Sequence, residues 1–176
     1  MPRLEPSNHG CLPRTGEGCE KGGQQTGPNP TDRARPSTKR HVITDRQGVP
    51  LAALITPGNR NEITVFAALL DAVPPVRGKV GRPRRRPAKL HADKAYDFPV
   101  ARRALRTRGI QARIARRGID SSARLGRHRW VVERTFAHLN QMRRLAIRYE
   151  RRADIYDAFL TLGCTLLAFN HLARLC

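Results

Sequence analysis

From residue 40 onward, apolar positions follow two periods. Residues 41–44 and 49–55 are apolar runs of strand length, separated by Asp45-Arg-Gln-Gly48. Gly48 can supply the positive φ of a tight turn, so this stretch predicts a β-hairpin. Asn61 is placed to cap a helix carrying Phe66, Leu69 and Leu70, which Pro74 and Pro75 stop. Residues 89–93 read as a short strand ending in an acid. A basic helix runs from Phe98 or Pro99 to Arg108 and is stopped by Gly109. Residues 110–115 alternate weakly and read as another strand. A helix from about Leu125 to Arg144 puts Val132, Phe136 and Leu139 at i, i+4 and i+7, which makes a core-facing stripe. Arg129, Glu133, Ala137 and Asn140 share the neighbouring face. The last helix starts near Asp154. Ile155, Phe159, Leu162, Leu166 and Phe169 keep one apolar seam on it, and its other faces are apolar too. Such a helix is expected to be buried, in the core or against a partner. The order of elements predicts an α/β fold: a mixed sheet with packed helices.

Residues 1–40 contain six Gly and six Pro and no aromatic residue. Little apolar area is available there, so residues 1–38 are expected to be a disordered or non-native arm, and 39–176 the folded unit. Residues 77–89 are dense in Arg, Gly and Pro, which predicts an extended basic loop.

Charge narrows the function. The 176 residues carry 34 Lys and Arg against 14 Asp and Glu, a formal net charge of +20. That points to a polyanionic partner, with nucleic acid ahead of an anionic membrane surface or a merely solvated basic surface. The longest apolar run, residues 158–169, is interrupted by Thr161, Gly163 and Thr165, so no membrane span is expected. The N-terminus lacks the apolar segment of a signal peptide, which predicts a cytoplasmic protein, nucleoid-associated if the partner is DNA. His9, Cys11 and Cys19 lack a fourth zinc ligand at finger spacing. Cys11, Cys19, Cys164 and Cys176 are expected to be free thiols.

Against this basic background two acids stand out. Asp93 ends a strand, where an α/β sheet points side chains into the ligand crevice. Glu133 lies on the half-apolar helix. Carboxylates suit Mg²⁺ or Mn²⁺, and two such ions about 3.5–4 Å apart can hold the attacking and leaving oxygens of a phosphodiester. Both acids also have structural readings. Asp93 can cap the following turn, and Glu133 can pair with Arg129 for about 0.3–0.5 kcal/mol.

Three segments carry a resemblance: His91-Ala-Asp-Lys-Ala-Tyr-Asp97, Arg127-His-Arg-Trp-Val-Val-Glu-Arg-Thr-Phe136 and Arg143-Arg-Leu-Ala-Ile-Arg-Tyr-Glu-Arg-Arg152. Together with Lys21-Gly-Gly-Gln-Gln-Thr-Gly-Pro-Asn-Pro-Thr-Asp-Arg33 and the hairpin, they resemble the bacterial insertion-sequence DDE transposases, closest to the small split-frame group. The resemblance covers roughly residues 21–172. It implies a ribonuclease-H-like fold, with Asp93 as the second acid of a catalytic, metal-binding triad and Glu133 as the third. Arg129 would contact phosphate or position the glutamate. Gly126 stands where the family has a tyrosine, and Asn140 where it has a lysine. The implied cofactor is Mg²⁺ or Mn²⁺. The implied partner is double-stranded DNA, both transposon ends and target, with a homo-oligomer in the DNA complex. Water and then a DNA 3′-hydroxyl would attack phosphodiesters without a covalent protein intermediate.

The triad's first acid has no evident match. Counting back from Lys21 reaches Pro13 with no aspartate nearby. Glu17 and Glu20 lie among glycines, and Asp45 sits in the hairpin turn. The expectation is therefore an N-terminally truncated core lacking its first catalytic strand, with unpaired sheet edges and little strand cleavage by this chain alone. Arg77, Lys79, Arg82, Arg84, Arg85, Arg86 and Lys89 in the basic loop are expected to contact the DNA backbone, as are Arg102, Arg103 and Arg106 on the basic helix. Without interleaved aromatics, the loop is not expected to stack on bases. Two rival readings are a non-enzymatic DNA-binding remnant that modulates an intact transposase, and an unrelated basic nucleic-acid-binding module.

Overall fold

The hairpin forms as expected and organises the sheet. In this computed structural model β3 (Pro36–Thr44) and β4 (Pro50–Pro57) pair antiparallel, with Gly48 at φ +91° between them. The structure describes residues 3–10, 23, 25–31, 33, 35–77, 81–119 and 126–175; for 3–10 and 126–129 it describes the backbone alone. β1 (Arg3–Gly10) pairs antiparallel with β3 on one side and parallel with β5 (Lys89–Ala92) on the other. β6 (Gln111–Ile114) continues the parallel half beside β5, and β2 (Gly27–Pro28) adds two residues at the start of β3.

This corrects the expectation of a missing first strand. Residues 3–10 lie between β3 and β5, so the two edges predicted to be unpaired are paired. Sequence pattern hid the strand because Pro6 and Gly10 are poor strand residues. Backbone ladders on both flanks hold it instead.

Each sheet face has its own core. Ile43, Leu90, Ala92 and Ile114 pack under α1 (Phe66–Asp71) and α2 (Pro99–Thr107), with Phe66, Leu69, Ala101 and Leu105 buried. The opposite face carries Val42 under α3 (Gly126–Gln141), α4 (Arg143–Ala146) and α5 (Ala153–Ala173). The period of two along β3 assigns alternate residues to the two layers. Asn61 caps a single 3-10 turn, Glu62–Thr64, accepting from the Ile63 amide at 3.1 Å, and α1 follows as a separate helix. The long helix expected to reach Arg144 breaks at Met142, whose backbone is extended.

The predicted stripe on α3 is the buried one: Val132, Phe136 and Leu139 are 1%, 7% and 0% exposed. On α5 the expected seam is wrong. Ile155, Leu162, Leu166 and Phe169 are exposed, and the buried positions are Tyr156, Leu160 and Gly163. A helix apolar on all sides gives no periodic contrast to choose a face. Gly163 is on the chosen face: a Cβ there would come within 2.9 Å of Leu145 Cδ1 and Met142 Sδ and 3.1 Å of Leu139 Cδ2, so α5 packs closely against α3, α4 and the break between them at this residue. By length and mean hydropathy (1.2) α5 could cross a bilayer, but its buried positions belong to the core shared with α3.

Two polar groups on β3 are held under the first layer. Lys39 Nζ donates to Glu62 Oε1 at 2.5 Å and to the Arg60 carbonyl at 3.0 Å. Burial pushes the Glu62 carboxyl up, but the Lys39 hydrogen bond, its own backbone amide and the Lys39 charge bring it below the ordinary glutamate range. His41 is fully buried, its Nε2 within 2.8 Å of Thr56 Oγ1. Burial, reinforced by the Lys39 charge, lowers its pKa from 6.5 to about 4. A depressed histidine pKa makes the neutral form part of the fold. Its contribution is complete above pH 6.5 and is lost as pH falls toward 4, because the unfolded chain takes up the proton first. The expected loss is on the order of 3 kcal/mol. Urea unfolding of wild type and His41→Gln across that range checks it: the wild type should lose more stability on acidification by about that amount.

Candidate metal and DNA site

Asp93 directly follows β5, and its backbone stays extended (φ −68°, ψ 163°). Strand alternation therefore continues through it. Leu90 and Ala92 face the α1–α2 core, so Asp93 takes the other face, the one α3 covers. Asp93 also makes the cap anticipated as its structural reading: its Oδ1 accepts from the Lys94 amide at 2.6 Å. That bond fixes the carboxylate's orientation and leaves lone pairs for a further ligand.

Glu133 is on α3, next to the buried Val132, and is exposed. α3 packs on β1, the strand beside Asp93's own, and on β3 beyond it. It is pinned to the hairpin where Thr135 Oγ1 donates to the Gly48 carbonyl at 2.8 Å. Arg129 stands one turn before Glu133, within the part of α3 described by backbone alone.

The register of β1 brings in a residue that sequence reasoning missed. Glu5 pairs with Val42, which lies in the α3-side core, and Leu4 pairs with Ala92. Parallel strands advance together, so the backbone of Glu5 stands level with Asp93. No local pattern marks Glu5; only the long-range pairing with β5 does. Among the described residues no three His, Cys, Asp or Glu side chains form a cluster that could hold a metal ion. Carboxylate oxygens at Asp93 and Glu133 are nonetheless the hard donors that Mg²⁺ and Mn²⁺ take, and the orienting amide bond at Asp93 fits a ligand role.

The basic residues divide. Arg77, Arg82, Arg84, Arg85 and Arg86 are exposed, Lys89 opens β5 half-buried, and Lys79 lies outside the described residues. The loop is less irregular than expected, since Val76 and Arg84 exchange backbone hydrogen bonds of 2.8 and 2.9 Å. On α2, Arg103 and Arg106 are exposed. Arg102 turns inward, donating to Asp97 Oδ1 at 2.8 and 2.6 Å and to the Ile114 carbonyl at 3.0 Å. The Arg117 amide, followed by the Arg102 guanidinium, holds the Asp97 carboxyl below the usual carboxylate range.

Two further arginines are buried beneath α3 and α5. Arg40 is fully buried, and its Nη2 donates to Asn140 Oδ1 at 2.5 Å. Burial lowers its pKa. Arg148 donates to Thr38 Oγ1 and to the Glu150 carbonyl at 2.8 Å, and its guanidinium lies 5.0 Å from the Tyr156 ring centroid. Asn140, where the family has a lysine, thus serves as the acceptor for a buried cation.

The family model described as the transposase DDE domain matches residues 12–168. A protein of Burkholderia cepacia named as a transposase for insertion sequence element IS402 is 54% identical over 153 residues, which cover 87% of this chain and 72% of that protein. A Brucella ovis protein named as a transposase for insertion sequence element IS6501 is 26% identical over 137 residues, 74% of this chain and 97% of that one. In three dimensions, the catalytic core domain of BIV integrase matches 93% of this chain and 79% of its own, with a TM-score of 0.50 at 17% identity, which shows a common ribonuclease-H-like fold. The chain therefore belongs to the insertion-sequence DDE transposases, a family of enzymes that carry out DNA transposition.

Proposed function

We propose that Asp93 and Glu133, with Glu5 as the third carboxylate, hold Mg²⁺ or Mn²⁺ for phosphodiester cleavage and strand transfer on double-stranded DNA. The observation that carries this reading is the β1 register, which sets Glu5 level with Asp93 under the helix bearing Glu133. A bound divalent ion would supply charge stabilisation for the attacking and leaving oxygens. The chain's own residues do the rest. The Lys94 amide orients Asp93, the Thr135–Gly48 bond fixes the height of α3 over the sheet, and the buried stripe through Val132, Phe136 and Leu139 fixes the rotation of that helix and so the direction in which Glu133 leaves it. Arg129, one turn before Glu133, is assigned to a phosphate oxygen or to positioning the glutamate. The test is nicking of supercoiled plasmid with Mg²⁺ or Mn²⁺. Nicking by wild type that is lost in Glu5→Gln supports the three-acid set; full nicking by Glu5→Gln removes Glu5 from it.

Duplex DNA is assigned to the exposed arginines, Arg77, Arg82 and Arg84 to Arg86, with Lys79 in the same loop, Lys89 at the start of β5, and Arg103 and Arg106 on α2. Arg102 is engaged by Asp97 and Ile114 and positions α2. Replacing Arg84, Arg85 and Arg86 together by Ala is expected to weaken duplex binding uniformly across sequences. It should also flatten the dependence of log affinity on log salt by ~0.9 for each phosphate no longer neutralised. Fluorescence anisotropy at several salt concentrations measures both; an unchanged slope would show that the loop is simply solvated.

A further inference from the structure

Trp130 is the only tryptophan in the chain, and it is 52% exposed on α3, three residues before Glu133. Residues 130, 134 and 138 follow at i, i+4 and i+8, so they form one ridge along the helix. The Arg134 guanidinium lies 5.9 Å from the Trp130 ring centroid. Arg134 and His138 also line a groove of about 310 Å³ between α3, the β3–β4 turn and the end of α5. Gln47, Thr135, Asn170, His171 and Arg174 complete its polar side chains, and among the described residues no carboxylate lines it. His171 Nε2 sits 2.9 Å from Gln47 Oε1, which ties the turn to α5 across the groove. Neither the basic loop nor α2 contributes to this surface.

We infer that this groove seats the backbone of an unpaired DNA strand, with one of its bases stacked on Trp130. A cationic groove beside an exposed aromatic ring is the arrangement that binds single strands, since every base offers a π-face while phosphates neutralise the arginines. The volume is at the small end for ligand pockets, about 300–1,000 Å³, which suits a nucleotide rather than a duplex. In a duplex the base faces are stacked on their neighbours and cannot cover the ring. Arg134 joins the two halves of the site, touching both ring and groove. Glu133 precedes it in the chain, so the seated strand would lie next to the proposed metal-binding acids. The inference rests on the DNA-cleaving function proposed above for its choice of DNA, and its placement next to Glu133 makes the strand one freed near the cut.

Binding is measured in EDTA, so that it is read independently of the acids and their ion. The emission of Trp130 should be quenched saturably by a ten-residue oligothymidylate, less by an abasic oligonucleotide of the same length, and less by a duplex. In anisotropy with labelled oligothymidylate, Trp130→Leu should lose affinity ~5- to 150-fold, the range for one stacked base, and Trp130→Phe should keep most of it. Arg134→Ala combined with Arg174→Ala should lower the salt slope by ~0.7 for each phosphate these arginines neutralise. Equal quenching by the duplex and the single strand would overturn the inference, as would unchanged affinity in Trp130→Leu or an unchanged slope in the double arginine variant. Plasmid nicking by Asp93→Asn, measured in parallel, tests the proposed function separately, since that assay does not depend on the groove.

Discussion

Asp93→Asn and Glu133→Gln should each lower divalent-metal-dependent strand cleavage by at least ~100-fold. Both changes keep side-chain volume and remove one negative charge. Mutating groups that only orient metal ligands already costs about 10–100-fold in affinity or activity, so removing a ligand oxygen's charge costs at least the upper end. The two positions should behave alike for different structural reasons. Asp93 sits at a strand end with its Oδ1 fixed by the Lys94 amide, and asparagine can keep that cap through its carbonyl oxygen. Glu133 is exposed, and the buried stripe of its helix is unaffected by the change. Circular dichroism and urea midpoints should therefore stay near wild type while nicking disappears. A Glu133→Gln protein that nicks at the wild-type rate would reduce Glu133 to its structural reading as a helix-surface ion pair.

The largest stability effect should come from Leu139→Ala, with an expected loss of about 2–5 kcal/mol. Leu139 is fully buried between the sheet and α5. Its Cδ2 lies 3.1 Å from where a Cβ on Gly163 would sit, so there is little free space for neighbours to move within before the change and a real void after it. Set against the roughly 5–15 kcal/mol that holds a typical domain together, the loss is a sizeable fraction. It should show as a lower urea midpoint with an unchanged slope. Because Leu139 anchors the helix that carries Glu133, Trp130 and Arg134, cleavage should fall along with stability. A loss below about 1 kcal/mol would mean that α3 and α5 pack loosely enough to close the void.

Local periodicity made part of this molecule legible and concealed the rest. The hairpin around Gly48 and the stripe Val132, Phe136 and Leu139 were readable because each shows one clear period, and the structure buries that stripe. The same reasoning failed on α5, where apolar residues on every side left no periodic contrast between Tyr156–Leu160 and Leu162–Phe169, and tertiary packing, close at Gly163, buries the first. β1 escaped because Pro6 and Gly10 argue against a strand, and its place depends on ladders with β3 and β5 formed by residues far along the chain.

The candidate site divides the same way. Asp93 and Glu133 lie within motifs that carry their family resemblance in a few contiguous residues. Glu5 acquires meaning only from its level beside Asp93. Arg40 and Arg148 look like any other basic residues in a chain of net charge +20, yet one is completely buried and the other nearly so. The groove by Trp130 joins Gln47, Arg134 and His171, three segments that no window of sequence holds together.

The most direct test of the metal-holding site is Mn²⁺ binding by the purified chain, followed through the loss of free-ion electron paramagnetic resonance signal. Wild type should bind Mn²⁺ saturably, with Mg²⁺ competing, and Asp93→Asn combined with Glu133→Gln should abolish that binding while the protein stays folded. Mn²⁺ bound equally well by the double variant would contradict a metal site built on these two acids.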